Sequence, residues 1–321
     1  MHCELVVSGL FAAGAHARPP ALELLIARGR ASTTGSEPQS LEEWLGEAFG
    51  LAEVPLAVGA LSLLGCGRDP GKRSWSRADP VHLRLLRDRA VVVPPPAFPI
   101  TAQESAALCE SLSRHFAPVE VVALDAGRWC ATVDAPIRET PLERAGRDPA
   151  VPEGMHVFLN EAQMLLHAHP VNEAREARGE PAVNSLWLWG GGRAPAVPPC
   201  RWQSVSAVDP LALGLARAAG TRNHALAANA PQWLARAPED GRHLVVLDAL
   251  RAPLALGEPG EARAALEALE RDWFAPLLAA LRAGRFGMVT VHVPDAAASF
   301  ETVRADLRRF WRRPRPLEHY A

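Results

Sequence analysis

The chain has 321 residues, 48% of them hydrophobic and 22% charged, with 34 Lys and Arg against 36 Asp and Glu for a formal net charge of -2. That length can bury a sizeable core and suggests about two domains. The balanced charge offers no broad field for nucleic acid or an anionic membrane, which argues against either as a partner. No apolar run approaches the ~20 residues that a membrane-spanning helix needs.

Lys72 is the only lysine. The arginines are scattered and balanced by acids, which reads as codon bias, with a phosphate-binding surface as the sharper alternative. Cys3, Cys66, Cys109, Cys130 and Cys200 are odd in number and widely spaced, without a C-x-x-C pair. That fits free thiols in a reducing compartment. The segment LVVSGLFAAGAHA mimics an export signal, but Glu4 precedes it and no Lys or Arg does, so it is read as a buried first strand. The expectation is a soluble cytoplasmic protein.

In chain order, Glu4 to Val7 reads as a strand and Ala21 to Ala27 as a helix closed by Gly29. Ser40-Leu-Glu-Glu43 is a capping box that opens a helix carrying Trp44 and Phe49. The apolar run from Pro55 closes in the turn Asp69-Pro70-Gly71, and Lys72 to Ala78 looks like a linker. Val91 to Val93 is strand-like, and Thr101 to Glu104 caps a helix reaching about His115. The short runs Val119 to Leu124 and Arg128 to Val133 are β-rich, whereas Ala135 to Pro152 reads as a loop.

The stretch from Leu159 to Arg193 combines several signals. A helix reaches His169 and is stopped by Pro170. A second short helix spans about Asn172 to Arg178 and ends at Gly179. The strand-like SLWLW then leads into Gly190-Gly-Gly-Arg193. Further on, Gln203 to Ser206 and His243 to Leu247 read as strands, and Asp209-Pro210 starts a helix. Glu261 to Leu281 reads as one long amphipathic helix, Gly287 to Val293 as a strand and Ser299 to Trp311 as a final helix. Apolar strands between helices predict an α/β fold, a mostly parallel sheet sandwiched by helices. It is interrupted by a smaller α+β inserted domain at 79–182, with the core discontinuous over 1–78 and 183–321.

Several constellations invite a functional reading. His167 and His169 point about 200° apart on a helix, so they cannot share an ion locally. His156, Asn160, Gln163 and His167 align better, as a polar pocket wall, a domain contact or a solvated face. Gly190 to Gly192 follows a strand but lacks both phosphate-loop patterns, so a tight structural turn is expected. Ser8 and Ser36 lack the flanks of a nucleophile elbow. The cluster RADLRRFWRRPR from Arg304 to Arg315, with Phe310 and Trp311 interleaved, reads either as a grip for an anion or nucleic acid or as a helix end complementing the dipole.

The run His169-Pro170-Val171-Asn172, Arg175, Gly179, Asn184 and Trp187-Leu188-Trp189-Gly190, with Leu61-Ser-Leu-Leu-Gly65 before Asp69-Pro70, resembles the archaeal-type cofactor-independent phosphoglycerate mutases of the alkaline-phosphatase superfamily. NEAQMLLHAHPVN, NSLWLWGGG, the DWFAPLL run and FWRRPRPL are similar to bacterial mutase-like proteins known as RpfE-type regulatory proteins. The resemblance implies an alkaline-phosphatase-like core. It also shows departures, because those mutases use two metal ions and a phosphorylated serine. Their metal-binding Asp-Gly stands here as Ser8-Gly9, and their serine falls near Pro55, Leu56 and Ala57. Their Asp-x-x-x-His falls in the His-free stretch Asp248 to Gly260. Their Asp-His pair is replaced around His292 and Asp295, and their last His is absent.

The expected role is therefore that of a catalytically inactive mutase-like protein with a regulatory or binding function, holding no metal and no cofactor. Its partner would be a protein or a small phosphorylated ligand. Candidate ligand-binding residues are Asn172, Arg175, Asn184, Arg193, His156 and His167. The alternatives are an enzyme with a relocated site on the His156/His167 face, and a purely structural interaction module.

Overall fold

The computed structural model describes residues 1–14, 17–33, 37–52, 56–85, 90–133, 154–237 and 240–320. The expected loop at Ala135 to Pro152, Pro55 and Ser36 lie outside the described residues. The strands are β1 (His2–Val7), β2 (Arg30–Thr33), β3 (Trp75–Leu85), β4 (Ala90–Val93), β5 (Val121–Ala123), β6 (Trp129–Ala131), β7 (Ser185–Gly192), β8 (Ser204–Ala207), β9 (Arg222–Ala225), β10 (Arg242–Leu247), β11 (Met288–Val293) and β12 (Ala298–Val303). The α-helices are α1 (Leu10–Gly14), α2 (Pro20–Arg28), α3 (Leu41–Ala48), α4 (Val58–Gly65), α5 (Ala102–His115), α6 (His156–His167), α7 (Pro170–Ala177), α8 (Pro210–Ala218), α9 (Ala230–Arg236), α10 (Arg251–Ala255), α11 (Pro259–Leu269) and α12 (Ala275–Arg282). Two compact units result, 1–52 with 197–321, and 53–196. Among the described residues no helix is long and apolar enough to cross a membrane.

The first unit is a mixed α/β layer structure around a seven-stranded sheet in the order β2-β12-β11-β1-β10-β8-β9. Strands β11, β1, β10, β8 and β9 run parallel, and β12 and β2 close one edge antiparallel. Strand alternation sends Cys3, Leu5 and Val7 into the main core with Leu22 and Leu25 of α2, Leu266 of α11 and Leu277 of α12. Glu4 and Val6 face the other side. There Trp44 of α3 packs on the His292 ring, centroids 5.0 Å apart.

Local sequence signals explain many helix starts. Ser40 Oγ accepts from Glu43 N at 3.2 Å and Glu43 Oε2 accepts from Ser40 N at 2.6 Å, the reciprocal box read from the sequence. Thr101 and Glu104 repeat it. Asp209 Oδ1 accepts from Ala212 N at 2.9 Å to start α8.

Other expectations are corrected. The segment read as a helix from Ser299 is strand β12, pairing with β11 through Val303 and with β2 through Glu301, its alternation burying Phe300 and Thr302. A short 3-10 turn over Arg304–Arg308 follows it. The long helix expected over Glu261 to Leu281 is present, helical without interruption over 259–282, with a π-helical turn at Glu270–Phe274 two residues before Pro276, which has no N–H to continue the ladder. Pro170 begins α7 rather than ending α6; His169 is its N-cap, Nδ1 accepting from Val171 N at 3.2 Å.

The second unit carries an antiparallel sheet in the order β4-β3-β6-β5, with β7 also on β3. The expected linker at Lys72 to Ala78 runs into β3, whose Ser76, Arg77 and Ala78 are buried. Arg77 and Asp79 make that possible. Asp79 Oδ1 accepts from Arg77 Nη2 at 2.6 Å and Trp129 N at 3.2 Å, and Oδ2 from Trp189 Nε1 at 2.8 Å. Burial pushes the Asp79 carboxyl up, against the opposing pull of Arg77. The expected domain limits at 78/79 and 182/183 therefore fall inside this unit, where β3 pairs with β7.

Gly190 to Gly192, expected as a turn, belong to β7. Gly190 has φ 57, and its missing Cβ leaves room for Val58 of α4 beside a register shift between Trp75 and Arg77. Gly59 of α4 lies against β3 so closely that a Cβ would stand 2.6 Å from Trp75 O and Ser76 C. Gly59→Ala should cost about 1–3 kcal/mol by overpacking. Gly260→Ala, in open space on α11, should stabilise by up to about 1 kcal/mol. Thermal denaturation reads both, and an unchanged midpoint for Gly59→Ala would contradict this packing.

Candidate functional site

In an open parallel sheet, ligands gather beyond the carboxyl ends of the strands, next to the place where strand order reverses. Here β1 is flanked by β10 and β11. The residues just past these three strand ends are Ser8-Gly9, Asp248 and Pro294-Asp295. Gly9, at φ 79, donates its N–H to Asp295 Oδ1 at 2.9 Å. A Cβ on Gly9 would overlap Leu254 of α10 and stand 3.7 Å from Leu250 Cβ. The Ser8 hydroxyl oxygen is buried without a hydrogen-bond partner among the described residues. Past β8, Asp209 serves as the α8 cap. Among the described residues no three His, Cys, Asp or Glu side chains converge as metal ligands.

A second polar cluster lies deeper in the same unit. Glu4, fully buried in central strand β1, accepts from Arg242 Nε at 2.8 Å, Arg201 Nη2 at 2.9 Å and His292 Nε2 at 3.2 Å. His292 Nδ1 lies 3.1 Å from Ser299 Oγ, so a neutral ring can accept from the hydroxyl and donate to the carboxylate. Desolvation pushes the Glu4 carboxyl up, but the His292 hydrogen bond and the Arg201 and Arg242 charges outweigh it and leave the group far below the usual carboxylate range. Burial pushes the neighbouring His2 down. Trp202 lies under the Arg201 guanidinium, 4.7 Å from carbon to ring centroid, and its own indole N–H is buried without a partner among the described residues.

Ser299, His292 and Glu4 are linked in the order of a nucleophile relay, but the serine is buried at 5% exposure and two arginines already hold the carboxylate. The arrangement suits a structural lock better than an attacking hydroxyl. Nothing in the sequence flagged Glu4 as central. The available signal was a single acid amid the apolar run CELVV, which only paired cations can keep charged in a buried strand.

The candidate residues from the sequence sit in the second unit and divide into two groups. Asn172, Arg175 and Asn184 are brought together as fasteners of the segment 181–184. Asn172 Nδ2 donates to Leu166 O at 2.7 Å and Val183 O at 2.8 Å, and its Oδ1 accepts from Val183 N at 2.9 Å. Arg175 is buried; it donates to Pro181 O at 2.9 Å, Pro99 O at 3.1 Å and Glu104 Oε2 at 3.0 Å. Asn184 exchanges two hydrogen bonds with the Leu83 backbone, at 2.6 and 3.0 Å. Arg193, His156 and His167 are exposed. His156 and His167 stand at opposite ends of α6, about 16 Å apart along the axis at 1.5 Å per residue. Between them Gln163 is spent on Ser185 Oγ at 3.1 Å.

No protein-family profile matches the chain. One stretch of 71 residues is 39% identical to the 2,3-bisphosphoglycerate-independent phosphoglycerate mutase of Methanothrix thermoacetophila, covering 20% of this chain and 18% of that enzyme. Over most of its length the chain shares the fold of the PH0037 protein from Pyrococcus horikoshii, with TM-score 0.61, 16% identity, and 94% and 87% of the two chains covered. A cofactor-independent phosphoglycerate mutase from Thermoplasma acidophilum aligns over 94% of this chain and 89% of its own at 19% identity and TM-score 0.45. The similarity thus consists of one short stretch matching a phosphoglycerate mutase and a fold shared with the PH0037 protein.

The Glu4 cluster yields a pH-dependent expectation. A carboxyl held below its unfolded value adds stability that is fully present above that value, about pH 4.3, and lost as pH falls toward the folded value. Glu4→Gln should therefore cost about 1.5–3 kcal/mol at pH 7. The gap from the native chain should narrow steadily below about pH 4. Urea titrations across pH measure it; a gap independent of pH would contradict the assigned charge state.

Proposed function

We propose that this chain is a mutase-like protein of the alkaline-phosphatase superfamily that acts as a regulator or binding module, as its likeness to RpfE-type proteins suggests, rather than by two-metal phosphoryl transfer. The observation that carries the reading is the corner beyond β1, β10 and β11. A dinuclear site needs several carboxylates and imidazoles to offset the desolvation of the ions. The residues present do not fit that requirement. Ser8 has no charge, the acids past these strand ends are Asp248 and Asp295, no group of three or more metal-ligating side chains forms among the described residues, and Leu250 and Leu254 lie close to Gly9. His292 points its ring nitrogens at Glu4 and Ser299 within the sheet.

Position 57, near which the mutase serine falls, is a buried alanine at the start of α4, and Leu56 before it is buried as well. Neither offers a nucleophile. With no ligand set among the described residues to lower a nucleophile's pKa or clamp a phosphoryl group, the chemistry of the mutases lacks that support. What remains is a stable α/β scaffold whose exposed polar residues, Arg193, His156 and His167 among them, are free to meet a protein partner or a small phosphorylated ligand.

Purified protein supplied with Mn²⁺ and 3-phosphoglycerate should show no mutase or phosphatase turnover, and elemental analysis should find no stoichiometric metal. Stoichiometric Mn or Zn together with turnover abolished by a chelator would overturn the reading. A phosphorylated ligand held at about 100 times its dissociation constant should stabilise the fold by about 2.7 kcal/mol. A thermal-shift screen of phosphorylated three-carbon acids detects this.

A further inference from the structure

The basic run from Arg304 to Arg315 takes no part in the carboxyl-edge corner or the Glu4 cluster. It holds six arginines and one aspartate in a chain whose overall charge is balanced, so its field is local rather than broad. No α-helix follows the 3-10 turn over Arg304–Arg308, so the arginines beyond it do not complement a helix dipole. Arg312 N donates to Arg309 O at 3.0 Å, closing a β-turn whose two corner residues are Phe310 and Trp311. Both legs of this turn are fastened to the end of α2. Arg309 Nη1 donates to Arg28 O at 3.1 Å and Arg312 Nη1 to Gly29 O at 2.7 Å, while the Arg28 guanidinium donates to Leu307 O.

Corner positions of turns ordinarily carry Gly, Pro, Asn, Asp or Ser. Here they carry two large aromatic rings, 76% and 66% exposed. The other eight tryptophans of the chain are all buried, so Trp311 is the exception to how this protein places an indole. The two rings lie edge to face, centroids 5.3 Å apart and planes at 82°, and form one apolar wedge. Every residue from Phe310 to Arg315 is exposed, as is Arg308, so the turn stands out from the surface. Asp306 neutralises Arg309 at 2.8 Å. The side chains of Arg308, Arg313 and Arg315 make no hydrogen bond or ion pair among the described residues. Cations without a partner therefore flank the aromatic tip on both sides, Arg308 and Arg313 each two residues away.

We propose that this turn docks the protein onto an anionic lipid bilayer, Phe310 and Trp311 entering the interface and the flanking arginines meeting headgroup phosphates. Indole rings favour the level of the headgroups, and each nearby arginine adds attraction to anionic lipid. An apolar element combined with a basic patch is the pairing that holds peripheral proteins at such surfaces. The geometry favours this occupant over single-stranded nucleic acid. Strand-binding surfaces combine a basic groove with ring faces open to successive stacked bases. This tip protrudes, and its rings stand nearly perpendicular with the edge of one against the other. A planar membrane requires neither a groove nor aligned rings.

The test is flotation of the full chain with vesicles of phosphatidylcholine alone and of phosphatidylcholine mixed with phosphatidylserine, at low and high salt. The chain should float with the phosphatidylserine vesicles at low salt, be released by high salt, and stay behind with phosphatidylcholine alone. Trp311, the exposed indole, should shift its emission to the blue on binding. The double variant Phe310→Ser, Trp311→Ser should abolish flotation. The double variant Arg308→Gln, Arg313→Gln should weaken it about thirtyfold, or about fivefold for each charge removed. All four side chains are exposed, and circular dichroism confirms that both variants are folded. No flotation with phosphatidylserine, equal flotation with phosphatidylcholine alone, an unshifted emission, or full binding by either variant would overturn the proposal. Saturable binding of polyuridylate that needs Phe310 and Trp311, with no flotation, would overturn it in favour of a nucleic-acid surface.

Discussion

A carboxylate buried at the centre of a parallel sheet has to be compensated, and in this protein the compensation organises one whole face of the first unit. Glu4 sits in the middle strand, where burial alone would neutralise it. Arg242 enters from the start of β10, Arg201 from the loop before β8 and His292 from β11. Ser299 then orients His292 from β12. One side chain thereby ties together β1, β10, β11 and β12 with the approach to β8, across a region that chain order leaves scattered. Both arginines are close to half exposed at 46% and 44% of their side-chain area, so their charges are partly paid for by water while the carboxylate is not. Such a cluster supplies specificity of strand order more readily than net stability.

That lock lies inward of the carboxyl edge, where related folds would keep reactive groups. At the edge itself the side chains serve the backbone. Asp295 satisfies the Gly9 N–H, Asp209 satisfies the start of α8, and α10 sets two leucines near Gly9. Leucines next to Gly9 would oppose the hydration of an ion. Two acids, Asp248 and Asp295, thus stand at the corner without a further cluster of ligating side chains among the described residues.

The parts of this fold legible in the sequence were those set by local chemistry. Capping boxes at Ser40 and Thr101 and the Asp209-Pro210 start each involve donors and acceptors within three residues, so their spacing alone reveals them. Apolar strands such as Leu244 to Leu247 announce burial on both faces. Strand β3 did not, because WSRADPVHL is polar until Arg77 meets Asp79 and Asp79 meets the Trp189 indole, a pairing 110 positions away. Strand β12 was hidden because its period-2 alternation is short and the arginines after it supply a helix-like rhythm. At the candidate site, Asn172, Arg175 and Asn184 stood out as polar groups in a patterned run. Whether such groups face a ligand or their own backbone depends on the position of segment 181–184, which no spacing rule gives.

The arginines of the last segment differ from those of the rest of the chain in what they face. Arg77, Arg175, Arg201 and Arg242 each meet a carboxylate within 3.0 Å. Arg312 and Arg28 instead donate to backbone carbonyls, which fixes their geometry without cancelling their charge. Arg30, on edge strand β2, lies across from Glu301 of β12. Geometry fixed by neutral acceptors, with charge left over, is the preorganised state that anion recognition requires, because the ordering of the side chain is paid before a ligand arrives. Arg309 marks the contrast within the same segment, since Asp306 neutralises it.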